Sequence, residues 1–124
     1  MDEQQVPVGS WDSDGAAGPS TSDGDMALYD LRVVVDRIEG RSVCSMQVGD
    51  SFDLTESSRL RIPGAFCLYA LQAVLPLLPA KQRPLPAHDW LERDAYVACP
   101  DPDERLIMRI ERGPLRSMNS QDLT

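Results

Sequence analysis

Hydrophobic and polar side chains alternate in the sequence LYDLRVVVDRIEG, which spans residues 28–40. A period of two is typical of a strand with one buried face, so this segment predicts a strand that ends at Gly40. The sequence RLIMRIER, residues 105–112, predicts a second strand for the same reason, and AYVAC, residues 95–99, is a candidate partner for it. The side chains expected to face the core are those of Tyr29, Leu31, Val33, Val35, Leu106, Met108 and Ile110.

Shorter runs of the same kind lie between these strands. Gly49 and Asp50 supply turn chemistry between two strand-like runs, Val43–Val48 and Ser51–Leu54, and the arrangement predicts a hairpin. The sequence RLRI, residues 59–62, alternates again before a Pro-Gly turn.

The most hydrophobic segment runs from Ala65 to Leu75 and contains a single polar side chain, that of Gln72. A helix that is apolar on every face is buried on most sides, so we expect this helix to form the centre of the core. Pro76 should end or kink it, because proline removes a backbone donor. The sequence HDWLERD, residues 88–94, predicts a second, short helix. Its inward-facing side chains would be those of Trp90 and Leu91.

These elements predict an α+β fold, with a mostly antiparallel sheet or partly open small barrel packed on one central buried helix. A chain of 124 residues is long enough for one domain with a real core. We expect that domain to span residues 27–114. Residues 1–26 should form a disordered acidic leader, and residues 115–124 should form a flexible tail, because both segments have little to bury.

The net charge of −8 is unevenly distributed, since residues 1–25 contain six acidic residues and no Lys or Arg. An acidic chain without a basic stripe repels phosphate backbones, which argues against nucleic-acid binding. The longest apolar stretch is interrupted by prolines and is too short to cross a bilayer. The beginning of the sequence also has no signal-peptide pattern. We therefore expect a cytoplasmic protein without membrane partners, in a compartment that keeps thiols reduced.

Three cysteines, Cys44, Cys67 and Cys99, are the main candidates for chemistry. An odd number of cysteines in a reducing compartment favours unpaired thiols, metal ligation or catalysis over a disulfide framework. Their spacings match no local zinc or iron–sulfur pattern, so only the tertiary fold could bring them together. Cys67 would lie in the first turn of the central helix. Backbone N–H groups there favour a thiolate, which is the nucleophilic and metal-binding form of cysteine.

Several functions remain open at this point. The three cysteines could bind a soft metal such as zinc or iron, with His88, the single histidine, as a candidate fourth ligand or a surface residue. They could instead act in metal-free thiol chemistry, with Cys67 as the nucleophile and another cysteine resolving it. A third hypothesis is a non-catalytic module that forms homo-oligomers or binds a partner, with the cysteines as core filler. A small cyclase or isomerase with an apolar pocket for a small-molecule ligand is a further alternative.

A family resemblance supports a functional role for the three cysteines. The pieces that carry it are LYDLRVVVDRIEG, Cys44 followed by VGDSF, IPGAFCLYAL, the pair DW, and CPDP before the last strand. From about Leu28 to Arg112 the chain resembles a family of small prokaryotic proteins of uncharacterised function. The resemblance implies that all three cysteine positions belong to the family pattern, and it names no reaction. Ser45 stands where that pattern would place a proline.

Overall fold

Two long antiparallel strands form the centre of the molecule. The structure is a computed structural model and describes residues 25–93 and 96–123; the predicted leader lies almost entirely outside these residues. Strand β1 (Asp25–Ile38) pairs with the last strand, Leu106–Asn119, in a register that runs from Asp25 opposite Asn119 to Ile38 opposite Leu106. Two irregularities interrupt the ladder, between Tyr29 and Leu31 and between Val35 and Arg37. Irregularities of this kind bend a strand and increase its twist.

The described residues form a sheet of five strands: β1, β2 (Ser51–Thr55), β3 (Arg59–Arg61), β4 (Tyr96–Ala98) and β5 (Leu106–Asn119). Their order is β3-β2-β1-β5-β4, and every neighbouring pair is antiparallel. Among the same residues, three short helices lie between β3 and β4: α1 (Leu68–Val74), α2 (Leu78–Lys81) and α3 (Trp90–Arg93). Leu75–Leu77 and Ser120–Leu123 form 3₁₀ turns. The predicted α+β class and the mostly antiparallel sheet are confirmed.

The core lies on one face of the two long strands, and the short helices cover it. The alternating pattern of β1 and β5 predicts their buried face correctly, since the side chains expected to face the core are all buried. Phe52 of β2 is fully buried among them, and its ring meets the ring of Phe66 edge to face, with centroids 5.0 Å apart. The helical segment contributes three fully buried side chains, those of Ala70, Val74 and Leu78.

The prediction of a central buried helix was wrong. Helix α1 has seven residues and buries only Ala70 and Val74 fully, whereas Leu68 and Tyr69 are 58% and 63% exposed. Gln72 is also exposed. The apolar run is divided into three short helical pieces, with a proline at the start of the second and of the third, so it lies over the sheet instead of passing through the core.

Three smaller predictions also differ from the structure. Residues 43–48 form no strand, so the predicted hairpin is absent, and β2 pairs instead with β1 and β3. Residues 115–119, expected to belong to a flexible tail, continue β5 and pair with β1. Leu91 is buried as predicted, but Trp90 is 53% exposed. Within the described part of the chain, no helix has the length and apolar character that crossing a membrane would require.

A buried network of charged residues fixes the short helices to the sheet. Arg112, on β5, is a residue only 7% exposed, and its guanidinium makes two hydrogen bonds to the Glu92 carboxylate, of 2.6 and 2.9 Å. It also donates to the backbone carbonyls of Lys81 and Arg83, and it lies 4.5 Å from the centroid of the Tyr29 ring. Burial alone would raise the pKa of Glu92, but hydrogen bonds from Arg112 and from a backbone N–H outweigh it and lower that pKa.

Candidate thiol site

The three cysteines line one pocket of about 250 Å³ at the end of the sheet. Cys44 lies in the irregular segment between β1 and β2, Cys67 immediately precedes α1, and Cys99 directly follows β4. None of the three is in a disulfide. The tertiary fold thus brings together thiols that are far apart in the sequence, as the sequence analysis required. Tyr69, Pro100, Asp101 and Glu104 complete the lining.

Glu104 is the acceptor that organises this pocket. Its side chain is 1% exposed, and its Oε1 accepts hydrogen bonds from the Cys44 thiol at 3.1 Å and from the Cys99 thiol at 3.7 Å. Its Oε2 accepts from the backbone N–H groups of Val43 and Cys44, at 3.1 and 3.4 Å. Both carboxylate oxygens are therefore satisfied, which a buried carboxylate requires.

A tight turn places Glu104 in this position. The Oδ1 atom of Asp101 accepts hydrogen bonds from the backbone N–H groups of Asp103 and Glu104, and the Arg105 N–H donates to the Asp101 carbonyl at 3.0 Å. The turn then packs against Gly40, whose N–H donates to the Glu104 carbonyl at 2.8 Å. A Cβ atom on residue 40 would lie 2.0 Å from the Asp103 carbonyl oxygen, so only glycine fits this close backbone approach.

The electrostatics of the site keep a proton on Cys44. Burial raises the pKa of the Cys44 thiol to about 12, and hydrogen bonds to Glu104 and Cys67 add to the effect. Burial would also raise the pKa of Glu104, but hydrogen bonds from the Cys44 thiol, from two backbone N–H groups and from the Cys99 thiol hold it below its usual value. At neutral pH the cluster therefore contains a carboxylate and a protonated Cys44 thiol.

Cys67 lies in a different environment from the one predicted. It precedes the first turn of α1 as the N-cap, with an extended backbone and no side-chain cap hydrogen bond, so the expected first-turn position was wrong. Its backbone N–H donates to the Met46 sulfur at 3.4 Å. Its own side chain is half-buried on the pocket wall, and its proximity contributes to the raised pKa of Cys44.

Two other sequence-based expectations concern metal ligands. His88 is exposed and does not line the pocket, so the structure places it apart from the cysteines. Among the residues that the structure describes, no three or more His, Cys, Asp or Glu side chains are arranged to hold a metal ion. The Cys44 and Cys99 thiols donate to the Glu104 carboxylate instead.

Glu104 is the site residue that the sequence analysis missed. It lies in the sequence CPDPDE, in which three carboxylates closely follow Cys99 and have the composition of a solvated turn. The sequence pattern does not separate Glu104 from its two acidic neighbours, because its burial depends on contacts made by the folded turn. Comparisons with protein families, with curated proteins and with solved structures found no match to this chain.

Proposed function

We propose that this protein performs thiol chemistry, with Cys67 as the nucleophile toward a small electrophile held in the pocket. The observation that carries the proposal is the Glu104 carboxylate, which accepts hydrogen bonds from Cys44 and Cys99. Two of the three thiols are thereby committed as donors. A cytoplasmic location is part of the proposal, because its reducing conditions would keep all three thiols available.

Access and hydrogen bonding support the choice of Cys67 among the three thiols. Cys99 is buried, and its thiol is directed to Glu104. Cys44 is hydrogen-bonded to the same oxygen, and burial and neighbouring groups raise its pKa to about 12. Cys67 is half-buried and makes no hydrogen bond to Glu104 among those the structure gives that carboxylate. Cys67 is therefore the pocket thiol that the Glu104 carboxylate does not hold as a donor, which makes it the best-placed nucleophile.

Site-resolved alkylation tests this assignment. We expect iodoacetamide at pH 8 to modify Cys67 about tenfold faster than Cys44 or Cys99, because a thiol held as a hydrogen-bond donor reacts slowly. Peptide mapping by mass spectrometry measures each rate in the native protein. Cys67→Ser should remove the fast phase, and Cys99→Ser is the matched control that should retain it. Equal rates at the three positions would contradict the proposal and favour a partner-binding module with cysteines as core filler.

Binding of a soft metal by Cys44, Cys67 and Cys99 is the second candidate function. Three thiols and two carboxylates, those of Asp101 and Glu104, line the same pocket, and these groups are ligands that zinc and iron accept. Binding would require the thiols to lose their protons and to leave their hydrogen bonds with Glu104. Elemental analysis of protein purified without oxygen separates the two functions. One equivalent of tightly held metal would favour the metal site, and substoichiometric metal would favour thiol chemistry.

A further inference from the structure

Glu104 is buried, and its carboxylate is an acceptor shared by two of the three pocket thiols. We propose that Glu104 is a positioning residue, which holds the Cys44 and Cys99 thiols as hydrogen-bond donors and so leaves Cys67 as the thiol that reacts. The inference rests on the proposed thiol function and deepens it by assigning how one of three neighbouring cysteines is selected. A small disulfide is the probe that reports this selection, because the thiol that attacks first decides the product.

The inference is based on the hydrogen bonds that the two oxygens of the Glu104 carboxylate accept. One oxygen, Oε1, faces both sulfurs, and the other is held by the N–H groups of Val43 and Cys44. If the side chain rotated away, it would lose the hydrogen bonds from these two partly buried N–H groups and leave its own buried carboxylate oxygen without them, which would cost free energy. The acceptor is therefore fixed toward Cys44 and Cys99. The same loop carries Cys44 and the N–H groups that orient Glu104, so thiol and acceptor are positioned together.

The other groups at the pocket reinforce this arrangement. Cys44 faces Glu104 and Cys67, and the pocket wall adds Cys99, Asp101 and the hydroxyl-bearing Tyr69. The Asp101 carboxylate is occupied by backbone N–H groups of its own turn. None of the described residues that line the pocket is a lysine or an arginine, so no cation there competes with the thiols for Glu104.

Reaction of the pocket thiols with a small disulfide would take two steps. The Cys67 thiolate attacks one sulfur of the substrate, a mixed disulfide forms, and the other substrate sulfur leaves as a thiolate that takes a proton from water. In a second step Cys44 could attack the Cys67 sulfur, forming a Cys44–Cys67 disulfide and releasing the second substrate thiol with the Cys44 proton. Two protein thiols would then have transferred two electrons to the small disulfide. Since the attacking species is a thiolate, the hydrogen bond to Glu104 slows this second step.

The test compares Glu104→Gln with Glu104→Asp in the full chain, using iodoacetamide and 2,2′-dipyridyl disulfide as probes. Gln keeps the volume of the side chain and removes its charge, and Asp keeps the charge and shortens the side chain. We expect Glu104→Gln to raise the alkylation rate of Cys44 relative to Cys67 by about tenfold and to speed conversion of the mixed disulfide to the Cys44–Cys67 disulfide. Glu104→Asp should retain more of the wild-type selectivity.

The outcomes separate a positioning role from a packing role. Loss of selectivity in the Gln variant with retention in the Asp variant supports the inference. Equal loss in both variants, loss in the Asp variant alone, or selectivity unchanged in both overturns it. If wild-type Cys67 is not the fastest thiol, the proposed function itself fails, which the same measurement reveals before any variant is made.

A measurement that leaves Glu104 unchanged keeps the inference testable if the Glu104 variants do not fold. The infrared S–H stretch reports protonated thiols and shifts when a thiol donates to a carboxylate. We expect wild-type protein at pH 8 to have hydrogen-bonded S–H bands that Cys44→Ser and Cys99→Ser each reduce. Bands at the position of unbonded thiols, or no S–H band from Cys44, would overturn the inference.

Discussion

Replacing Arg112 by methionine should destabilise the protein by about 3–5 kcal/mol, the usual effect of removing one partner from a buried ion pair. The substitution leaves the Glu92 carboxylate, 13% exposed, without its bidentate partner. It also removes the donors to the carbonyls of Lys81 and Arg83. These carbonyls join the helical segment to β5, so we expect cooperative loss of α2 and α3 packing. The measurement is the free energy of unfolding in urea, by circular dichroism.

Arg109→Met is the matched control on the same strand. Arg109 pairs with Asp36 and Glu111, but its side chain is 37% exposed, so we expect a much smaller loss of stability.

The dependence of unfolding stability on pH provides an independent check. The pKa of Glu92 is lowered, so its contribution to stability is present above the usual value of 4.5 and is lost as the pH falls below it. Arg112→Met should flatten this part of the stability profile. A loss no larger than that of Arg109→Met would show that the network is dispensable.

Gly40→Ala should disrupt the thiol site and destabilise the protein by about 1–3 kcal/mol or more, as overpacking against a fixed neighbour does. The added Cβ would meet the Asp103 carbonyl oxygen at 2.0 Å and the Glu104 carbonyl oxygen at 2.8 Å, and both are backbone atoms. The turn must therefore move away and carry Glu104 with it. Thermal unfolding measures the stability, and site-resolved alkylation measures the expected rise in reactivity of Cys44 and Cys99.

Gly64→Ala is the control for this substitution. Gly64 also lies outside the helices and strands, and a Cβ there would meet nothing within 4 Å. We expect a stability close to that of the wild type and unchanged thiol selectivity. Unchanged selectivity in Gly40→Ala would mean that the Glu104 carboxylate does not depend on the turn, contrary to the geometry described above.

The strands could be predicted from the sequence, because an alternating pattern directly reports a face that packs against a core. The residues of β1 and β5 illustrate this, since Val33 and Met108 were placed on the buried face by spacing alone. The central helix could not be predicted correctly. Hydrophobicity around the whole circumference of residues 65–75 suggests burial, but the prolines limit α1 to seven residues, and Leu68 and Tyr69 remain exposed.

The site could be predicted only in part. Cysteine is rare and chemically distinct, so Cys44, Cys67 and Cys99 could be singled out without a structure. Glu104 could not, because a carboxylate in an acidic turn is ordinarily solvated, and its burial depends on Gly40, 64 positions earlier in the sequence. The resemblance to a family with patterned cysteines stays a prediction, since the comparisons returned nothing that bears on it.

The pairing of β1 with β5 has a consequence for how the protein is made. Asp25 is hydrogen-bonded to Asn119, 94 positions away, and Cys44 meets Glu104 across 60 positions. Such a topology has a high contact order and folds slowly compared with a helical bundle. During synthesis Cys44 and Cys67 emerge before Glu104 exists as a partner, so nascent chains carry thiols that the finished protein restrains. We therefore expect the interval before β5 pairs with β1 to be the period in which Cys44 is most vulnerable to oxidation.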